Sequence, residues 1–334
     1  MNQCFYVLLL LCLGSLLHTS YAQLNRVYNC TIDSVLDNSD VDYLQCDPEG
    51  TPGHCNFRNA IAFCNEHLDN FVAHTCNINF PNSQTIVLNE TFGELIIWRA
   101  VGTLVLEGNG CVVTTPLYSG MRFLTVFDPV SVAGQLDFHM SDMYIDHFGN
   151  DTVRGGAIQI RDTKSSIFRN VTFARCHAGS GGALNMERND NVTFVDVIFM
   201  DNVATGDGGA INLARSNRDY EFNRCQFIRN IADGTNDNEN PGRGGAIFMD
   251  TSNQDILMVD CLFEFNLALR GASLCLNDRN VRISFHSTLF RHNVAGLHSG
   301  GVYSIYDNTD TTFLNSTFFN NSAGDGPAVR MIIK

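Results

Sequence analysis

From Gly155 onward the chain keeps returning to one phrase: Gly155-Gly156-Ala157-Ile158, Gly181-Gly182-Ala183-Leu184, Gly208-Gly209-Ala210-Ile211 and Gly244-Gly245-Ala246-Ile247. Arg270-Gly271-Ala272-Ser273, Gly300-Gly301-Val302-Tyr303 and a degraded Gly326-Pro327-Ala328-Val329 continue it. The period is about 27 residues, the sequence signature of a stacked repeat architecture. A second phrase, Phe-x-x-Asn-x-Ala, recurs in step as Phe199-Asn202-Ala204, Phe227-Asn230-Ala232, Phe263-Asn266-Ala268, Phe290-Asn293-Ala295 and Phe318-Asn321-Ala323. A copy at Phe173 and Ala178 has Cys176 in place of Asn. Five residues before each Phe stands another large apolar residue: Phe168, Phe194, Phe222, Met258, Phe285 and Phe313.

These columns have a physical reading. Side chains alternate across a strand, so two inward residues an odd number apart need a corner between them. The polar residues between the two columns, Asn170, Asp196, Arg224, Asp260, Ser287 and Asn315, supply it. Short strands joined by corners and stacked at about 4.8 Å place Phe over Phe and Asn over Asn. Each stacked amide then bonds its neighbours, and Gly-Gly provides dihedrals that β-carbons forbid. The repeats show no helical apolar stripe. The expected fold is all-β: a right-handed parallel β-helix with a short helical, disulfide-rich N-terminal cap.

The organisation follows. Phe5 to Leu17 is an apolar run ahead of Ser20-Tyr21-Ala22, so residues 1–22 read as an export signal. Residues 23–80 form the cysteine-rich cap and residues 81–334 the β-helix, regular from 155. Leu95-Ile96-Ile97, Thr103 to Leu106 and Met143-Tyr144-Ile145 are expected strands of the less regular coils. Cleavage leaves ten cysteines, six of them (Cys30, Cys46, Cys55, Cys64, Cys76 and Cys111) in the first third. In an exported chain without a C-x-x-C pair these read as disulfides of undetermined connectivity rather than zinc ligands. Seven Asn-x-Ser/Thr sequons, at Asn29, Asn89, Asn150, Asn170, Asn191, Asn315 and Asn320, are glycan acceptors if the host glycosylates secreted proteins. Net charge is −14 with two lysines, which argues against nucleic acid as a partner. No later segment is long and apolar enough to span a membrane. The chain stops within an apparent strand at Val329 to Lys334, so a partner or further sequence is expected to cap the last coil.

The paired phrases resemble the repeats of the polymorphic outer-membrane protein family of bacterial adhesin-type autotransporters, and more widely the pectin-lyase-like β-helices. The resemblance covers Gly155 to Lys334; those autotransporters end in a membrane β-barrel, which no part of this sequence is expected to form. His54-Cys55-Asn56-Phe57-Arg58-Asn59-Ala60-Ile61-Ala62-Phe63-Cys64-Asn65 is similar to the signature of the CSLREA domain at Cys55, Arg58, Ala60, Ile61 and Asn65. Phe57, Ile61 and Cys64 fall on one face of a short helix, suited to covering the open first coil.

Candidate chemistry is sparse. Cys225 and Cys261 share a column in adjacent coils, open to a disulfide or to two buried thiols. Cys275, aligned with Ile160, Met186 and Leu213, is expected inside the core. The longest repeat carries an insertion, Asp233 to Gly242, whose Asp233, Asp237 and Glu239 are candidate calcium ligands beside the alternative of a solvated turn. No other cofactor is implied. The densest group suited to acid–base work is His139, Asp142, Asp146 and His147, with nothing to fix which way each faces. The paired-acid and arginine signatures of polygalacturonases and pectate lyases are absent. The expected function is therefore non-catalytic adhesion or surface recognition by a secreted or cell-surface protein, its partner an extracellular carbohydrate or protein surface. A secreted polysaccharide lyase or glycoside hydrolase is the alternative.

Overall fold

The computed structural model describes residues 26–33, 46, 55–68, 74–89, 93–98, 102–116, 120–127, 136–234 and 242–332. The expected export signal lies outside these residues. Strands pair in parallel throughout, coil upon coil, into a β-helix with a 16-stranded, a nine-stranded and a short five-stranded sheet. A coil of the regular part begins with a strand of the nine-stranded sheet, for example Leu184–Glu187. It turns into Asp190–Val195 and Ile198–Met200 of the 16-stranded sheet and returns through Val203–Ala204 of the short sheet.

Corners define the coil. Asn170, Asp196, Arg224, Asp260, Ser287 and Asn315 all have φ between 50° and 55°, the left-handed conformation that lets two inward columns stand five residues apart. Within each Gly-Gly pair the two residues do different work. Gly155 has φ +69°, whereas a Cβ on Gly156 would lie 2.4 Å from the Gly182 carbonyl oxygen of the next coil. The first glycine turns the chain and the second lets two coils approach.

Phe173, Phe199, Phe227, Phe263, Phe290 and Phe318 stack face to face with centroids 4.6–5.2 Å apart. Phe168, Phe194 and Phe222 form a parallel column at 4.6–4.7 Å. At the following turn Asn202 Nδ2 donates to the Asn230 Oδ1 of the next coil at 3.0 Å and to the Phe173 carbonyl of the preceding coil. The same pattern runs through Asn230, Asn266, Asn293 and Asn321. A second buried ladder, Asn189, Asn217, Asn253, Asn280 and Asn308, runs along another corner and bonds in the same way. Outside, bidentate arginine–aspartate pairs such as Arg224–Asp196 and Arg229–Asp201 clip adjacent coils together at 2.7–2.8 Å.

In the N-terminal part a helix runs over Phe57–His67, capped by Asn56, whose side chain accepts from the Asn59 amide at 2.9 Å. Its buried face carries Phe57, Ile61 and Cys64, and the Phe57 ring packs on Phe80 and Phe123. Disulfides join Cys46 to Cys55 and Cys64 to Cys76, whereas Cys111, also expected in a bridge, is a buried thiol. The second of these fastens the helix to the strand His74–Asn79.

Two further expectations are corrected. The repeat phase slips by one residue at the fifth and sixth copies. Gly271, with φ +62°, takes the first corner position, Ser299, with φ 50°, takes it in the next coil, and Leu274 and Val302 are the inward residues. A slip of one residue exchanges the two faces of a strand. Cys275 therefore aligns with Phe248 and Tyr303 on the outer face, in a small apolar cluster outside the barrel. Cys225 and Cys261 occupy one inward column as unbridged thiols, donating to the carbonyls of Phe194 and Phe222.

Candidate functional site: a furrow on the nine-stranded sheet

The residue after each inward Ile or Leu of the glycine phrase points away from the barrel. In register these residues are Thr125, Gln159, Asn185, Asn212, Phe248, Cys275 and Tyr303. Outward residues of a flat sheet lie open to water, but these are sunk: Asn185 is 1% exposed and Asn212 7%. This sheltered column, which opens at its first coils into a depression beside Thr125 and Gln159, is termed the furrow.

The next outward column, Phe127, Arg161, Glu187 and Arg215, forms one wall. Glu187 Oε1 accepts from Arg215 Nε at 2.7 Å and from Arg188, and Oε2 lies 3.2 Å from Arg161 Nε. Burial pushes the Glu187 carboxyl up. The hydrogen bond from Arg215 and the charges of Arg161, Arg188 and Arg215 outweigh it and hold the group below its ordinary value. The Arg161 guanidinium rests 5.0 Å from the centroid of the Phe127 ring, and Thr125, Phe127, Gln159 and Arg161 line a depression of about 120 Å³. Nearby, Arg122 Nη1 reaches both Glu94 carboxylate oxygens at 3.0 and 3.1 Å and Thr125 Oγ1 at 2.8 Å. On the opposite margin Arg243 is paired with Asp207 at 2.6 Å and covers the Phe248 ring at 4.3 Å.

The floor changes character midway. Asn212 Nδ2 donates to Asn185 Oδ1 at 2.8 Å. The next coil offers Phe248 instead of a third amide, so Asn212 Oδ1 is buried without a hydrogen-bond partner. A buried acceptor left unpaired costs about 1–3 kcal/mol. The furrow thus holds amide donors, an orphan acceptor and mutually neutralised charges. Such an arrangement can bind hydroxyl groups. The carboxyl of its wall, Glu187, is held ionised by three guanidinium groups.

The acid–base group read from the sequence is dispersed. Asp142 sits at an exposed corner and accepts from Asn170 Nδ2 at 2.7 Å. Asp146 is buried around the next bend, its Oδ2 2.5 Å from Arg175 Nη2 and 2.8 Å from His147 Nδ1. His139 lies outward on the strand Leu136–Asp146, and burial lowers its pKa against the pull of Asp137. Only Asp146 and His147 come together. Asp233 is exposed at the start of the insertion, while Asp237 and Glu239 fall outside the described residues. The furrow residues carried a legible signal, the in-phase Gln159, Asn185 and Asn212, which inspection for acidic clusters passes over.

The Chlamydia polymorphic membrane protein repeat model matches residues 196–214, the span that holds Phe199, Asn202 and the third glycine pair. The chain is a parallel β-helix protein with a stretch similar to that repeat. No curated protein matches it. Among solved structures it is similar to ORF18 of Geobacillus virus E2, with a TM-score of 0.48 and 11% identity over 87% of this chain and 60% of that one. It is also similar to PfbA, a surface adhesin of Streptococcus pneumoniae, with a TM-score of 0.36 and 11% identity over 92% and 93%. The chain thus spans under two thirds of the viral protein.

Proposed function

We propose that this is an exported, cell-surface recognition protein that binds a carbohydrate chain along the furrow of its nine-stranded sheet, without cleaving it. The observation that carries the reading is the buried, unpaired Oδ1 of Asn212 in a line of side-chain amides. Asp137 Oδ1 and Asp146 Oδ1 are also buried unpaired, but the Asn212 oxygen lies in the line of amides, and such an acceptor asks for a donor. A sugar hydroxyl supplies such a donor once the side chains over Asn212 move aside. The match to a polymorphic membrane protein repeat supports placement at a surface. Among the described residues no helix is long and apolar enough to cross a membrane.

The furrow favours an uncharged polymer over a polyanion. Its arginines are occupied by Glu187, Asp207 and Glu94, and the chain as a whole is strongly acidic. The test is retention of the purified protein on neutral and acidic polysaccharides, with and without calcium, while new reducing ends and unsaturated products are followed. Retention without turnover supports the reading. Turnover that is lost on changing Asp142 or Asp146 establishes the lyase or hydrolase alternative. Retention that appears only with calcium and vanishes with Asp233→Ala assigns the insertion a role in it.

A further inference from the structure

One stretch of surface is built against the usual preferences of a soluble protein. Phe265 occupies a corner whose backbone is left-handed, with φ 55°, where the other coils carry His147, Arg175, Asp201, Arg229, His292 and Asn320. A bulky aromatic is disfavoured there, and such strain is retained mainly where it serves a purpose. The ring is 51% exposed and stacks on His292 of the next coil, with centroids 5.0 Å apart and planes 14° apart. Phe319, 58% exposed, meets the same imidazole edge-on at 5.7 Å. Beside them Leu267 and Val294 pair in register on the short sheet, 43% and 44% exposed. Together these side chains make a continuous apolar strip across adjacent coils, of the kind that a solvated protein covers.

The next coil supplies the cover. Asn320 continues the Phe265–His292 column, its Nδ2 3.0 Å from His292 Nδ1, and Ser322 continues the column of Val294 through a parallel bridge. Asn320-Asn321-Ser322 is a sequon, so the acceptor amide and the hydroxyl it requires lie directly beyond the strip. We propose that Asn320 is an N-glycosylation site whose first sugar lies over the Phe265–His292–Phe319 strip. In the transfer, Asn320 Nδ2 bonds to the anomeric carbon of a lipid-linked glycosyl diphosphate. The carbon–oxygen bond to the diphosphate breaks, and the amide loses one proton. The remaining N–H still donates to His292 Nδ1. The apolar face of the sugar then meets the aromatic edges, as an aromatic surface prefers an amphipathic partner. Asn170 is the internal contrast: its Nδ2 donates to Asp142 in a corner column whose positions carry no aromatic residue from Asp142 to Asn315.

The inference rests on export of the chain and is independent of the furrow. The experiment is secretion of the full chain from a glycosylating eukaryotic cell, followed by glycopeptide mapping and binding of a dye that reports exposed apolar surface. Asn320 is expected to be occupied, and N320Q is expected to lose the mass of one glycan and to gain dye fluorescence. N170Q should leave fluorescence unchanged, and F265S combined with N320Q should return it to the wild-type level. Enzymatic removal of the glycans from folded wild type gives the same rise and covers the case in which N320Q fails to fold. An unoccupied Asn320, or occupancy with fluorescence indifferent to N320Q and to deglycosylation, overturns the proposal. Loss of polysaccharide retention in the furrow variants would leave it untouched.

Discussion

Asn212 donates its side-chain amide to Asn185 at 2.8 Å, yet keeps its own Oδ1 buried with no donor in reach. The same residue type behaves differently in the ladder from Asn202 to Asn321, where each amide up to Asn293 has a stacked successor. The contrast separates amides that hold the fold together from amides available to a ligand. Replacing both Asn185 and Asn212 by Leu is expected to leave stability within about 1 kcal/mol of wild type or to raise it, because exchanging an imperfect polar pair for apolar groups is nearly neutral. Denaturant titration checks this.

Interruption of the structural ladder is expected to behave in the opposite way. Asn230→Leu removes the acceptor of the Asn202 main-chain and side-chain N–H groups and the donor to the Phe199 carbonyl. Each group orphaned in the core costs about 1–3 kcal/mol. Phe227→Ala, in the centre of the aromatic stack, is expected to cost about 3–5 kcal/mol. Thermal unfolding should show both well below the Asn185/Asn212 double variant.

Cys111, Cys176, Cys225 and Cys275 are buried thiols. Burial pushes Cys111 and Cys176 to about 12, and Cys225 and Cys275 are also raised by it. Alkylation of the native protein near neutral pH is expected to spare all four and to reach them in denaturant. A non-reducing peptide map should show Cys46–Cys55 and Cys64–Cys76, with Cys225 and Cys261 unlinked. Replacing Cys64 and Cys76 by Ala is expected to cost about 2–4 kcal/mol.

Glu187 sets one part of the acid sensitivity. Its folded pKa is depressed below 4.5, the value of an ordinary glutamate, so the folded state holds the ionised form more tightly than the unfolded state. The resulting stability is complete above that value and is lost as pH falls through the folded pKa. Glu187→Gln is expected to flatten the fall of melting temperature between neutral pH and the acid side of the carboxylate range. An unchanged acid slope would show that the guanidinium cluster contributes nothing in solution.

Most of the coil was legible because repetition makes each column its own control. Six stacked Phe positions, five Asn positions and the corner residues at Asn170, Asp196 and Arg224 identify an inward strand, a ladder and a bend without any single residue being decisive. The second ladder was equally present in the phrases Asn217-Arg218-Asp219-Tyr220 and Asn253-Gln254-Asp255-Ile256, but it lacks a constant aromatic to draw the alignment. The phase error at Gly271 and Gly300 has a related cause. A glycine pair marks the phrase, but the fold requires only a left-handed first residue and a small second one, and Ser299 followed by Gly300 meets that requirement. Cys275 was misplaced as a consequence. The furrow was hidden for another reason. Gln159, Asn185 and Asn212 look like ordinary outward polar residues until the walls around them are known, because burial of an outward position depends on neighbours that one strand does not reveal.

Retention on immobilised polysaccharides, compared between wild type, the Asn185→Leu/Asn212→Leu variant and a surface control, Arg224→Ala, tests the furrow reading most directly. Wild type and the control are expected to be held by at least one neutral polymer without releasing new chain ends, and the double variant is expected to pass through while remaining folded. Equal retention of all three, or turnover of the polymer by wild type, would contradict the account.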